Sequence, residues 1–345
     1  MNATPLPATY NPADFQRPPY NVDLNAVQPA ALEYAKKNGI TNAAKDAKKV
    51  CLVMIDMQKT FCTPGAELYV GGRSGTGAVD DARKITEFIY QNMNAITDIA
   101  ATMDTHVASQ IFHPMFFLKE DGTPVDPFTM ITEKDLKEGK YRVNPAIARQ
   151  VAPTANGTGN YVALSNYAQY YCRSLEEQGK YNLTIWPYHA MLGSVNHALI
   201  EPLYEAMYFH GFARGTNPTI ETKGGTLITE NYSVFKPEVL KGPKGEVIGQ
   251  RNAAFIQKVI NYDLIVFVGE AASHCVAWSI ADFLGELVQI DPTLARKVAI
   301  LRDCMSPVVI PGVIDYTDDA NKALDSFEKA GMSLVTTTDL NWLYN

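Results

Sequence analysis

The sequence predicts an α/β protein: a doubly wound, mostly parallel sheet with helices on both faces, plus an insertion and an N-terminal arm. Short apolar runs such as "CLVMI" (51–55) and "LIVFV" (264–268) alternate with segments of helical period, which is the spacing of strand–helix–strand units. The runs are apolar throughout rather than at every second residue, as in strands covered on both faces. Residues of roughly 115–183 break this rhythm and read as an insertion carrying its own helix.

In chain order, residues 1–25 are rich in Pro, Asn and Tyr without a helical period, and are expected to lie as an arm over the body or a partner subunit. "VQPAALEYAKKNGI" reads as a short helix ended by Gly39, since glycine tolerates the left-handed turn that closes a helix. "KKVCLVMIDMQ" is a buried strand ending in a carboxylate, and "AVDDARKITEFIYQNMNAITDIA" a helix with Val79, Ile85, Ile89 and Met93 at helical spacing. A strand near "AATMDTH" follows. After the insertion come a helix in "VNHALIEPLYEAMYFHGFAR", a strand region in "GTLITENYSVF", a helix in "AAFIQKVINY" and a strand in "DLIVFVGE". "VAWSIADFLGEL" is a helix, "KVAILRDC" a strand, "DDANKALDSFEKAG" a helix and "SLVTTTDL" a last short strand. Residues 1–48 are thus the arm and a short helix, and 49–345 one domain with its insertion at about 115–183.

The composition is that of an ordinary globular protein, 46% hydrophobic and 19% charged over 345 residues. A formal charge of −7 argues against nucleic acid or an anionic membrane as partner. No apolar run approaches the roughly 18 residues of a spanning helix, and no basic segment precedes an apolar core as in a secretory signal. The five cysteines (51, 62, 172, 275 and 304) are scattered without a CxxC pair, so neither a disulfide framework nor a zinc finger is expected, and a reducing cytoplasm is the simplest setting.

In a parallel sheet, ligands sit beyond the carboxyl ends of the strands. That rule selects Asp56, Asp104, His106, Glu270 and Asp303. It also selects Cys275, which follows the "LIVFVG" strand and opens a helix. A helix N-terminus favours the thiolate, and its N–H groups can receive a developing oxyanion. The ordinary alternative is a buried thiol in a turn, and this segment alone leaves the two readings even. Asp56 ends an apolar strand, where burial suits a carboxyl to proton transfer, though capping a turn is its commoner use. Lys236, in "NYSVFKPEV", could hold a thiolate–carboxylate pair, although spacing does not separate it from the other lysines. Asp104 and His106 lie two apart and share one side of an extended strand. With His189 they make a carboxylate and two imidazoles, a donor set for a divalent first-row metal. His113 is either a further ligand or a neighbour, and His274 is disfavoured as a base because adjacent turn residues point apart. "GGRSGTGAV" lacks both phosphate-loop patterns and reads as a loop leading into a helix.

"VMIDMQKTFCTPGAELYVGG", "ATMDTH", "WPYHAMLGS", "VFKPE" and "VGEAASHCV" occur in the order seen in the isochorismatase-like cysteine hydrolases, and the chain most resembles their nicotinamidases. The resemblance covers about 49–110 and 184–310. It implies Cys275 as nucleophile, Asp56 as general acid/base and Lys236 as third catalytic member. It further implies an oxyanion hole from the N–H groups of Ala271 and Cys275, with a cis peptide before Ala271. Asp104, His106 and His189 would hold a divalent ion (zinc, iron or manganese) that engages a ring nitrogen of the substrate, and no organic cofactor is implied. The expected activity is hydrolysis of the C–N bond of a small amide through a thioester, in a homo-oligomer. The chain departs from the pattern in the long "DTHVASQIFHP" segment, in Glu270 where an apolar residue is usual, and in the insertion, whose tyrosines suit a lid or an inter-subunit wall. A metal-free hydrolase of a non-amide bond, a non-catalytic binding member of the fold and a cysteine oxidoreductase are the competing readings.

Overall fold

The strands predicted as apolar runs pair side by side. In the computed structural model, which describes residues 3–156, 160–179 and 181–344, six strands form one sheet: β1 (Val50–Ile55), β2 (Asp98–Asp104), β3 (Thr219–Lys223), β4 (Leu264–Gly269), β5 (Val298–Leu301) and β6 (Ser333–Val335). Their order is β6-β5-β4-β1-β2-β3. The pairs β1/β2, β1/β4, β4/β5 and β5/β6 are parallel. Every residue of β1 and β4 is buried, so both faces of the sheet centre are covered, as the unbroken apolar runs require.

The covering helices are α1 (Leu24–Asn38), α2 (Gly77–Gln91), α5 (Glu201–Arg214), α6 (Ala253–Ile260), α7 (Cys275–Ile290) and α8 (Thr317–Lys329), with α3 (Pro145–Asn156) and α4 (Tyr161–Glu177) in the insertion. α5 packs on α1 and on α2, α7 packs on α6 and on α8, and both α2 and α7 touch β4. α1 starts on an Asp23 cap and ends at Gly39, whose φ is +64°. α5 begins only at Glu201, later than its apolar period suggests: Pro202 fixes the first turn, and Leu199 instead bridges to Gln58. No helix among the described residues is long and apolar enough to cross a membrane.

Two compact units divide the chain, one of residues 1–103, 198–221 and 253–345 and the other of 104–197 and 222–252. In the first, the N-terminal arm lies on its own body. Thr4 N–H donates to Gln91 O at 2.9 Å, Tyr10 Oη to Glu87 Oε1 at 2.5 Å and Tyr34 Oη to Pro5 O at 2.5 Å. In the second, α3 and α4 pack together. Their tyrosines, expected to suit a lid or an inter-subunit wall, include two that pack inside this unit. Tyr167 and Tyr171 are buried. Tyr167 Oη donates to Ile228 O at 2.9 Å, and Tyr171 Oη accepts from Glu230 N–H at 3.0 Å. The insertion therefore braces the main chain of 228–230. The strand expected in "GTLITENYSVF" lies upstream, at Thr219–Lys223, because Gly224 and Gly225 interrupt the run with backbone that a strand does not hold well.

Candidate active site

In the first unit, β1 and β4 run in register to their ends, Ile55 opposite Gly269. That register places Asp56 and the turn after β4 side by side. Gly269 has φ +120°, and a Cβ there would sit 2.1 Å from Ile55 O, so only glycine allows the approach. Glu270 N–H then donates to Ile55 O at 2.9 Å. The Glu270–Ala271 peptide is cis, as the resemblance implies. His274 N–H and Val276 N–H both donate to Ala271 O, at 3.0 and 3.2 Å. Cys275 is the first residue of the 16-residue α7. Its Sγ and a carboxylate oxygen of Asp56 lie within 4.8 Å of each other.

Asp56 is completely buried and sits at φ +48°, a left-handed conformation that Asp tolerates better than most residues. Thr102 fixes it from both sides: its Oγ1 accepts from Asp56 N–H at 3.0 Å and donates to Asp56 Oδ1 at 2.5 Å. His274 hydrogen-bonds Ser273 Oγ through Nδ1 at 2.8 Å and packs edge-on against Tyr316. Burial pushes its pKa down to about 3, so it is neutral and structural.

The second unit holds a different cluster. Asp104 Oδ2 lies 2.9 Å from His106 Nε2 and 3.8 Å from His189 Nε2, and Oδ1 lies 2.9 Å from Lys223 Nζ. Backbone bonds gather these three segments. His106 N–H donates to Ala190 O at 3.0 Å and Leu192 N–H to His106 O at 2.9 Å, while Thr105 N–H donates to Lys223 O at 2.9 Å. Gly224 has φ +85°, and a Cβ on it would come within 2.7 Å of His106 Cε1 and 2.8 Å of Asp104 Oδ1. The His106 ring and the Asp104 carboxylate are therefore seated on bare backbone.

Burial pushes the Asp104 carboxyl up, but His106 and Lys223 outweigh it and hold it well below the usual carboxylate range. Burial lowers His106; it also pushes His113 down to about 3, with His189 and His106 adding to the effect. Both rings are thus in the neutral form that binds metals. His113 belongs to this cluster as a neighbour of both imidazoles, its ring centroid 5.6 Å from His106 and 5.8 Å from His189.

The donor atoms of Asp104, His106 and His189 lie within 4.8 Å of one another. His189 Nδ1 bonds Pro187 O at 2.8 Å and His113 Nδ1 bonds Val107 O at 3.0 Å, which directs the Nε2 lone pair of each ring inward. His113 Nε2 and His106 Nδ1 are buried without a hydrogen-bond partner among the described residues, while His106 Nε2 faces Asp104 Oδ2. Carboxylate plus imidazole, with orphaned buried nitrogens, fits a divalent first-row metal.

Lys236 lines a surface groove with Tyr170, Ser174 and Gln178. The lysine against a strand-end carboxylate is Lys223, which is buried and also donates to Asn231 O at 2.9 Å. Sequence reading passed over it, yet the strand-end rule that selected Asp56 and Asp104 would have found it once "TIETK" was read as a strand. Glu230 was missed as well; burial, then the charge of Asp104, pushes it up to about 8.

The sequence matches no protein-family model and no curated protein. Among solved structures, the chain is similar to yeast nicotinamidase bound to the inhibitor nicotinaldehyde, at 15% identity and TM-score 0.51, over 84% of this chain and all of that one. It is also similar to an Acinetobacter baumanii nicotinamidase/pyrazinamidase (18%, TM-score 0.49, 86% and 100% covered). A third is the pyrazinamidase of Pyrococcus horikoshii in complex with zinc (16%, TM-score 0.42, 84% and 99% covered). The yeast match shows the fold: the chain shares the doubly wound α/β architecture of that nicotinamidase.

Proposed function

We propose that this chain is a cysteine-dependent amidohydrolase that cleaves the C–N bond of a small amide through a thioester. The observation that carries the reading is Cys275 at the head of α7 with the Asp56 carboxylate within 4.8 Å of its sulfur. Asp56 takes the thiol proton, and the thiolate attacks the amide carbonyl. The N–H groups of Ala271 and Cys275 receive the oxyanion. Asp56 returns the proton to the departing ammonia or amine, then serves as base for the water that hydrolyses the thioester.

In this reading a lysine supports the pair: the resemblance gives Lys236 that place, and Lys223, which closes β3 as Asp56 follows β1, competes for it. Asp104, His106 and His189, with His113 beside them, would hold a divalent ion. Such an ion would supply a positive centre for a ring nitrogen of the substrate. Nicotinamide carries such a nitrogen, and the named activity of the structural relatives makes it the first substrate to test.

The test is ammonia release from a panel of amides, nicotinamide included, on metal-analysed protein with Cys275→Ala as control. Release that disappears in Cys275→Ala supports the proposal. No release from any amide by metal-free protein would shift the assignment to a metal-free hydrolase of a non-amide bond.

A further inference from the structure

A second pair of carboxyl groups lies beside the nucleophile turn and has no part in the chemistry above. Glu270, completely buried, immediately precedes the Ala271 donor, and Asp81 is buried on α2. The two side chains are hydrogen-bonded to each other. Two carboxylates cannot make that bond, because each is only an acceptor; one must carry a proton. Burial pushes both up, Asp81 to about 6 and Glu270 well above the carboxylate range, with the charge of Asp81 adding to the second.

Ser306 ties this pair to the turn. Its N–H donates to Glu270 Oε2 at 3.2 Å and its Oγ to Asp81 Oδ2 at 2.5 Å. The segment around it forms a splint along the turn. Gly269 N–H donates to Cys304 O at 3.0 Å and Ala272 N–H to Ser306 O at 2.8 Å, while Val308 N–H donates to Ser273 Oγ at 3.0 Å. The chain from 269 to 273 is thus fixed by a segment whose central serine is itself held by the two acids.

We infer that Asp81 and Glu270 share one proton and, through Ser306, act as positioning residues for the turn that presents Ala271 and Cys275. The inference rests on the reading of that turn as the nucleophile site. Loss of the shared proton to solvent leaves two charges in an enclosed space and pushes the turn from its splint. The other titratable groups facing the pair are Asp80 and Lys84 on α2, Cys62, Tyr69 and Cys304. Of these only Lys84 is a cation; its charge opposes the effect of burial on Asp81, and its Nζ donates to Asp303 O at 2.8 Å.

The test joins three readouts on the full chain. Infrared spectra at neutral pH are expected to show a buried protonated carboxyl that is absent in Glu270→Gln. Alkylation of Cys275 by iodoacetamide, which needs no amide, is expected to slow in Glu270→Ala and recover in Glu270→Gln, whose amide still donates to Asp81. The kcat for ammonia release is expected to fall about a hundredfold in Glu270→Ala, the cost of a misplaced reacting group. It should decline on the alkaline side in wild type, with KM little changed, and lose that limb in Glu270→Gln. An unchanged infrared band in Glu270→Gln, or alkylation indifferent to Glu270→Ala, overturns the inference. A wild-type protein inert to every amide, with the band and the alkylation pattern as expected, would overturn the amidase reading and leave the shared proton standing.

Discussion

The nucleophile turn and the imidazole cluster are built in opposite ways. Cys275, Ala271 and Glu270 lie within six consecutive residues, fixed by the end of one strand and the start of one helix. Asp104, His106, His189 and Lys223 come from three separate segments, joined by a few backbone hydrogen bonds. A site made from one stretch declares its chemistry in the sequence. A site assembled by long-range pairing declares its parts but not their partners.

Four substitutions sharpen that contrast. Cys275→Ala should lower amide hydrolysis by at least about 10⁴-fold, with unchanged circular dichroism, because it removes one atom of chemistry and little packing. Lys223→Ala should cost about 3–5 kcal/mol in urea unfolding, since the buried Asp104 loses its cation; Lys236→Ala should stay within about 0.5 kcal/mol. The reverse order would restore Lys236 as the structurally committed lysine. Gly224→Ala should weaken metal retention about 10–100-fold in equilibrium dialysis, because its Cβ displaces the groups that hold the ligands in place; the nucleophile turn should still react with iodoacetamide.

The smallest effect concerns pH. Asp81 and Glu270 bind protons more tightly in the folded chain than in the unfolded one. Their contribution to stability is therefore most favourable below the unfolded carboxyl pKa and declines as pH rises through the folded values. Relative to wild type, Glu270→Gln should gain in Tm from about pH 4 upward. A difference in Tm that does not vary with pH would mean the pair holds no extra proton in the folded state.

Much of the fold was legible because buried parallel strands write themselves as unbroken apolar runs: "CLVMI" and "LIVFV" became the two central strands with every residue covered. The edge strand β3 was not, since four of the five residues of "TIETK" are polar and its one apolar residue, Ile220, is exposed. That miss hid Lys223, the buried lysine paired with Asp104 at the end of the strand. Asp104, His106 and His189 were legible as residue types with metal chemistry. Their convergence depends on Ala190 and Leu192 pairing with His106, which no local pattern states. The tyrosines of the insertion were misread for a related reason. A Tyr-rich helix looks like a surface from its sequence, but here the hydroxyls of Tyr167 and Tyr171 satisfy buried main-chain groups at 228 and 230.

The measurement that bears most directly on the central claim is trapping of the acyl-enzyme. Wild-type protein quenched in acid during turnover of an amide, digested and weighed by mass spectrometry should carry the acyl group on the peptide containing Cys275 and on no other. Ammonia release at full rate with that peptide unmodified, or with the acyl group on a different residue, would contradict the account.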